Sequence, residues 1–498
     1  MYLEEPETPD LAHDPALGLP TRTKFEILGA ILLAMFLGAL DQTIVGPVLP
    51  RIVGDLNGAE YYTWVVTAYL LTSTVTVPIY GKVSDLYGRR PLLMLGIVLF
   101  IVGSALSGLS QTMWQLILFR GLQGLGAGAL FPIALAVIGD LFTPAERGKY
   151  QGLFGAVFGV AFLLGPGLGG FLTDNLSWHA VFYVNVPIGI VGTLVAWLIL
   201  PRPAERRKRV AIDYRGAVTF SVALAAFMLV LTQVTANNWI SHHKTLLLLL
   251  AVASMAAFYL IERRTREPFI KLGLFRERNF TIGNVSGMFS YMALFAPMFL
   301  LPFYLEKILG LNPERAGTLL TPVPMALSVV ALGSGYLSDK FGVRLFTVGG
   351  MLLTAVSLYA LSTLHHDSGV TAVVWRLVLL GVSLGLFTPP NNRSVMCAAP
   401  EADLSVAGGL LNMMRSLGMM CGVAFAQMIY STELHDLIER TATAGPLTRA
   451  VRHHEMMLSF DKVYFTMVFV ALAAAVLSLV KEREELSGRK AAEAPLEF

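Results

Sequence analysis

An aspartate and an arginine stand where charge is hardest to hold. Asp41 lies in GALDQTIVGPVLP (38–50), directly after the apolar run FEILGAILLAMFLGAL (25–40), whose one other charge is Glu26 near its start. Arg120 lies in LILFRGLQGLGAG (116–128), inside a second apolar run. Ionisable groups inside hydrocarbon are costly, and they usually face a bundle interior or a water-filled cavity. Counted from expected helix ends near Pro50 and Met113, Asp41 is about nine residues deep and Arg120 about seven. At 1.5 Å per residue these are roughly 13 and 11 Å. Charges at similar depth partly neutralise each other. A nearby guanidinium favours the carboxylate, whereas burial favours the acid. A carboxyl balanced between the two can change protonation when water or a substrate reaches it, and could also meet a cation. A fixed ion pair that never titrates is the alternative.

Other polar groups inside apolar runs are secondary candidates. Glu306 ends one run and is either a second acid near a cavity mouth or an interfacial residue reaching water. Arg415, with Asn412 about one turn earlier, and Arg376, which mirrors Arg120, could bind substrate or simply satisfy backbone carbonyls. Asp140 is expected in a loop network. Tyr69, Phe158 and Phe162 could line a cavity for aromatic ligands, as could Tyr291, Phe295 and Phe299, with lipid-facing positions as the equal alternative.

The elements that must position these residues are membrane helices. The chain has 498 residues, 55% of them hydrophobic and 14% charged, with mean hydropathy +0.63. About 20 apolar residues cross a bilayer. Apolar runs divided by Gly, Pro and charge give spans at 25–50, 62–81, 91–109, 113–138, 149–172, 180–200, 215–234, 245–261, 279–305, 315–337, 346–363, 370–390, 406–430 and 462–480. An even number of spans puts both termini on one side. Most of the 37 Lys and Arg fall on that side, which marks it as cytoplasmic. The expected organisation is a disordered tail (1–24), a six-helix bundle (25–200), an inserted helix pair with basic linkers (201–278), a second six-helix bundle (279–480) with an extracellular loop at 431–461, and a tail (481–498). ELHDLIER within that loop has helical spacing. Cys397 and Cys421, one in a loop and one in a span, suggest no disulfide.

The halves repeat each other. GKVSDLYGRR (81–90) recurs as GYLSDKFGVR (335–344), each after the second span of its set, and RGLQGLGAGALFP has a fainter echo in RLVLLGVSLGLFT (376–388). Such repeats around a central site mark secondary transporters. Gly81 and Gly88 permit a tight turn. Asp85 can accept from helix N-terminal amides or an Arg, and Arg89 and Arg90 anchor the face. Asp339 and Arg344 occupy the matching places. Gly165 and Pro166 are expected to break the fifth helix, with Gly169 and Gly170 on a smooth packing face.

These segments resemble motifs of the major facilitator superfamily. GKVSDLYGRR looks like its loop signature, LILFRGLQGLGAG its fourth-span motif and GPGLGG (165–170) its antiporter motif. LDQTIVGPVLP and FYVNVPIG (182–189) resemble the fourteen-span drug:proton antiporter branch. The likeness covers nearly the whole chain. Ala161, WHAVF (178–182) and Glu306 in YLEK depart from the branch's usual residues. The resemblance implies an all-α fold of two six-helix halves plus two inserted helices, in a cell membrane. It implies a loop 81–90 that latches and releases as the halves rock, and a fifth-span bend that seals the inner path against proton leak. It also implies proton-coupled export of hydrophobic or cationic drug-like compounds, with Asp41 as the coupling acid. An exporter of an endogenous lipid or amphiphile, or a non-transporting sensor, is the alternative. The expected partners are protons, a small molecule and membrane lipids, with the chain a monomer. No phosphate-cradling loop, nucleophile elbow or metal-ligand spacing is present, so no enzyme activity, cofactor or metal is expected. The basic stretch PRPAERRKR (201–209) fits anionic lipid better than nucleic acid.

Overall fold

A computed structural model of the chain describes residues 20–481 except 59–60, 143, 201–212, 233–242, 266–267, 269, 366–367, 401–402 and 443–448. The expected tails and the basic stretch 201–209 therefore lie outside the described residues, apart from 20–24 and Lys481. Thr21 already begins the first helix, so the N-terminal boundary moves outward from 25. Among the described residues there are helices and no strands.

Thirteen helices are long and apolar enough to cross a membrane, and Tyr214–Val230 is a shorter apolar helix. Together they fill the fourteen expected positions. The first span is longer than its apolar run. Thr21–Ile44 passes through a short 3-10 turn at Gly46–Val48 into Leu49–Leu56. Pro47 cannot donate to the ladder, and the chain tightens there instead of stopping. Asn57, at φ 48°, supplies the left-handed end. Asp41 is thus fifteen residues from that end, roughly 22 Å along the axis and deeper than the apolar run alone suggests.

The fifth span is also continuous, as Pro144–Asn175 with Pro166 inside it. Proline removes one ladder bond, and neighbouring helices hold the rest of the turn. The expected loop at 431–461 is mostly helix. Leu404–Ala442 continues past the thirteenth apolar run, and Arg449–Leu479 begins before the fourteenth. Hydropathy marks where a helix meets water, not where its hydrogen bonds stop.

The repeat holds at atomic detail. The turns after the second and tenth spans centre on Gly88 (φ 93°, ψ 152°) and Gly342 (φ 93°, ψ 139°). This conformation is essentially reserved for glycine. Gly88 N donates to Ser84 O at 3.0 Å, and Gly342 N to Ser338 O at 2.9 Å. Ser84 Oγ donates to Gly81 O at 2.8 Å, and Ser338 Oγ to Gly335 O at 2.7 Å. In the first bundle the second, third and fourth spans pack together, as do the tenth, eleventh and twelfth in the second. The seventh span rests on the second and thirteenth, and the eighth packs on the seventh. The eighth span presents Leu246, Leu249, Val252 and Leu260 outward, as a lipid-facing helix does.

The bundles meet at the end remote from the Gly88 and Gly342 turns. There the fifth span crosses Pro313–Leu320, the start of the tenth. A Cβ on Gly317 would come within 2.1 Å of Pro166 O, and one on Gly170 within 2.3 Å of Pro313 O. The GPGLGG segment therefore seals the seam on the side opposite the loops.

Candidate functional site

Asp41 is fully buried in the first bundle, and every contact it makes is with a donor. Its Oδ2 accepts from Arg120 Nη1 at 2.6 Å. Its Oδ1 accepts from Gln123 Nε2 at 2.8 Å and Asn185 Nδ2 at 3.0 Å. Arg120 also donates to Gln123 Oε1 at 2.8 Å and to Val65 O at 3.1 Å. Tyr69 lays its ring 4.2 Å from the guanidinium carbon. Behind Asn185, Ser104 Oγ donates to Phe182 O at 2.8 Å. Side chains of the first, fourth and sixth spans thus meet at one carboxylate, with the second span behind Arg120 through Val65 and Tyr69.

The chemistry follows from the donor inventory. An ionised carboxyl accepts at both oxygens. A protonated one must donate at one of them, and all three partners here aim N–H groups at it. A proton on either oxygen would take up one acceptor position and weaken the contacts made there. The arginine is the partner most changed, since its counter-charge disappears.

In front of this network, between the bundles, lies a partly open cavity with about 820 Å³ of space, open solvent included. Gln42, Tyr69, Arg120 and Phe162 line it from the first bundle, and Phe295, Phe299 and Val423 from the second. Asp41 is not among its lining residues, and none of them is acidic. Arg120, not Asp41, is the charge at the wall. Gln42 adds a buried amide oxygen without a partner.

The remaining candidates separate. Tyr69 and Phe162 line the cavity, whereas Phe158 instead stacks under Arg415, 3.8 Å from its guanidinium carbon. Asn412 is part-buried on the same helix as Arg415. Glu306 sits in a π turn, Tyr304–Ile308, with a buried oxygen lacking a partner. It lies outside the cavity, among the charges of Lys307, Arg51 and Asp174. Arg376 does not reproduce Arg120. Its guanidinium is satisfied by Ala360 O at 2.6 Å, Ala372 O at 2.8 Å and Thr363 Oγ1 at 3.3 Å.

At the loop face Arg89 pairs with Asp140 at 3.2 Å and donates to Ser84 Oγ at 2.6 Å. Arg90 donates to Trp197 O, and Arg344 is exposed. The side chains of Asp85 and Asp339 lie outside those described. Cys397 and Cys421 are both free.

Gln123 and Asn185 were not singled out in the sequence, although both lie in segments that carry the resemblance. Gln123 is one helical turn after Arg120, a spacing that puts both on one face. Asn185 is the polar residue of an otherwise apolar FYVNVPIG.

Fourteen helix positions, two repeated bundles and a polar network beside a cavity between them define a polytopic membrane carrier. The sequence profile of the Major Facilitator Superfamily matches residues 31–281 and 283–497. The chain belongs to that superfamily and is a transporter rather than an enzyme. It is 35% identical over 416 residues to the multidrug transporter protein MdtP of Bacillus subtilis, covering 83% of this chain and 76% of that one. It is 36% identical over 412 residues to multidrug resistance protein 3 of the same organism, covering 80% and 78%. The riboflavin transporter RibZ of Clostridioides difficile is 31% identical over 417 residues, covering 83% and 90%. A bacterial homolog of the human lysosomal transporter Spinster, solved inward-facing and unoccupied, shares the fold at TM-score 0.68 and 16% identity. That match covers 93% of this chain and 97% of the other.

Proposed function

We propose that the chain is a proton-coupled exporter of hydrophobic, drug-like compounds that works by alternating access from a cell membrane, with both termini cytoplasmic. The observation that carries this reading is the closed network of Asp41, Arg120, Gln123 and Asn185 placed directly behind the cavity wall. Protonating Asp41 releases Arg120 toward the cavity, and substrate leaving the cavity lets the pair re-form. Proton and substrate then occupy linked rather than shared positions, because Asp41 itself does not line the cavity. The names of the multidrug relatives agree with the cargo class.

With the Gly88 and Gly342 turns cytoplasmic, the seam at Gly170 and Gly317 faces outward, so the described state is closed to the outside. Rocking then opens that seam and closes the loop face, where Arg89 and Asp140 hold the third and fourth spans together. Glu306, near the outer seam, is the second acid to test.

The test is flux in proteoliposomes under an imposed pH gradient, with a lumenal pH dye to report protons. Native protein is expected to couple ethidium efflux to proton movement, and Asp41→Asn to abolish the coupling. Equal gradient-driven flux by both proteins refutes the role given to Asp41. If Glu306→Gln then abolishes it, the coupling acid is Glu306.

A further inference from the structure

Three arginines lie inside spans, and the structure satisfies two of them. Arg120 has a carboxylate, an amide oxygen and a carbonyl. Arg376 has two carbonyls and a hydroxyl. Arg415 has neither carboxylate nor carbonyl among the described residues, and its Nε is buried without a hydrogen-bond partner. Aromatic side chains surround it instead, with the Tyr291 hydroxyl as a neutral hydrogen-bond partner. Phe158 is 3.8 Å from the guanidinium carbon, Tyr291 5.6 Å and Phe131 6.0 Å. Such faces hold a guanidinium by its quadrupole attraction, but they supply no negative charge. A cation at membrane depth with no anion of its own is characteristic of a ligand's counter-ion position.

Its place relative to the cavity gives the ligand's shape. Phe162 and Phe295 line the cavity and meet edge to face at 6.3 Å. Phe158 and Tyr291 are each four residues earlier on the same two helices, one turn or about 5.4 Å along. Arg415 is two turns before the lining residue Val423 on the thirteenth span. Arg415, Phe158 and Tyr291 are all part-exposed. One turn beyond the cavity lining, the same helices therefore carry an aromatic box whose floor is a guanidinium. The fourth and fifth spans of one bundle and the ninth and thirteenth of the other build that box, so a ligand there bridges both bundles.

We propose that Arg415, with Phe158 and Tyr291, is an anion subsite that selects flat aromatic compounds carrying a negative group such as a carboxylate or phenolate. The group would accept from the guanidinium while its ring system lies in the cavity against Phe162 and Phe295. This rests on the export reading above and narrows its cargo. It departs from the cationic class that the sequence suggested, since the cavity has Arg120 and no acidic residue in its lining and Arg415 lies one to two turns beyond it.

The experiment is equilibrium binding to the full chain in lipid nanodiscs, read by anisotropy, with fluorescein as the aromatic anion and ethidium as the aromatic cation. Native protein is expected to bind fluorescein more tightly than ethidium. Arg415→Gln should weaken fluorescein about tenfold or more, the scale of one charge-assisted hydrogen bond, and leave ethidium within twofold. Arg415→Lys keeps the charge and loses the planar stack, and should sit between the two. Because it retains the cation, it keeps the comparison open if Arg415→Gln does not fold. Fluorescein affinity unchanged in both variants overturns the subsite, as does native protein that binds only ethidium. Gradient-driven efflux distinguishes this from the parent reading. Ethidium export without fluorescein binding removes the subsite and keeps the exporter. Arg415-dependent fluorescein binding without gradient-driven flux keeps the subsite and removes the exporter.

Discussion

Arg120→Leu leaves the Asp41 carboxylate buried with two neutral donors, Gln123 and Asn185, at 2.8 and 3.0 Å. It removes the 2.6 Å contact to Oδ2, the donors to Gln123 Oε1 and Val65 O, and the cation over Tyr69. Breaking a buried ion pair from one side costs about 3–5 kcal/mol, because the charge left behind is uncompensated. Asp41→Asn, which strands the guanidinium instead, is expected in the same range. The double variant leaves neither charge, so its loss should fall short of the sum of the singles by about 2–3 kcal/mol, within the range seen for residues in one network. The assay is SDS-driven unfolding in mixed micelles, followed by tryptophan fluorescence, for the native protein and the three variants. Single losses under about 1 kcal/mol, adding to within about 0.5 kcal/mol, would show that the two groups are not coupled. The argument for a network poised behind the cavity would then fail.

Gly88→Ala should destabilise by about 1–3 kcal/mol through strain at φ 93°, whereas Gly81→Ala, where a Cβ meets nothing within 4 Å, should be neutral or slightly stabilising in the same unfolding assay. Gly317→Leu forces a side chain against Pro166 O, 2.1 Å from where its Cβ would stand. It should widen the seam, read as a longer spin-label distance between Leu172→Cys and Leu319→Cys in a background lacking Cys397 and Cys421. An unchanged distance would mean that the backbone shifts to absorb it. His179, in the turn before the sixth span, stacks on Trp178 at 3.7 Å, and burial lowers its pKa from the ordinary imidazole value of about 6.5, against the raising effect of Asp55. The folded state therefore favours neutral imidazole. That contribution is complete above about pH 6.5 and declines as pH falls through the lower folded value. Melting curves from pH 7.5 down to pH 5 should show part of the acid sensitivity disappear in His179→Gln. Identical profiles would remove His179 as the cause.

Legibility followed the range of the interaction. The helix count came from runs of about 20 apolar residues, which a bilayer imposes locally. The two glycine turns came from a repeated ten-residue pattern, and the structure gives both turns the same backbone conformation. Helix ends at Leu56 and Ala442 were missed because hydropathy falls at the membrane surface while the backbone ladder continues. The break expected at Pro166 does not occur, because one absent N–H does not stop a helix held by its neighbours. Asp41 and Arg120 do form the expected pair, although the first helix runs on to Leu56 and the matching depths counted from the apolar runs do not hold. Gln123 and Asn185 carry no charge, and neither stands out by cost in a single apolar run.

By itself, then, the sequence determined that this is a membrane protein of two related halves with a charge pair inside the first, because hydrophobic length, repeat and the cost of a buried ion are properties of one segment at a time. The tertiary structure alone decided that three donors close around Asp41, that Arg120 and not Asp41 faces the cavity, and that Arg415 is left without an anion among aromatic rings. Each of those facts depends on side chains from helices far apart in sequence arriving within about 3–6 Å of one another, the range over which hydrogen bonds and cation–π contacts act.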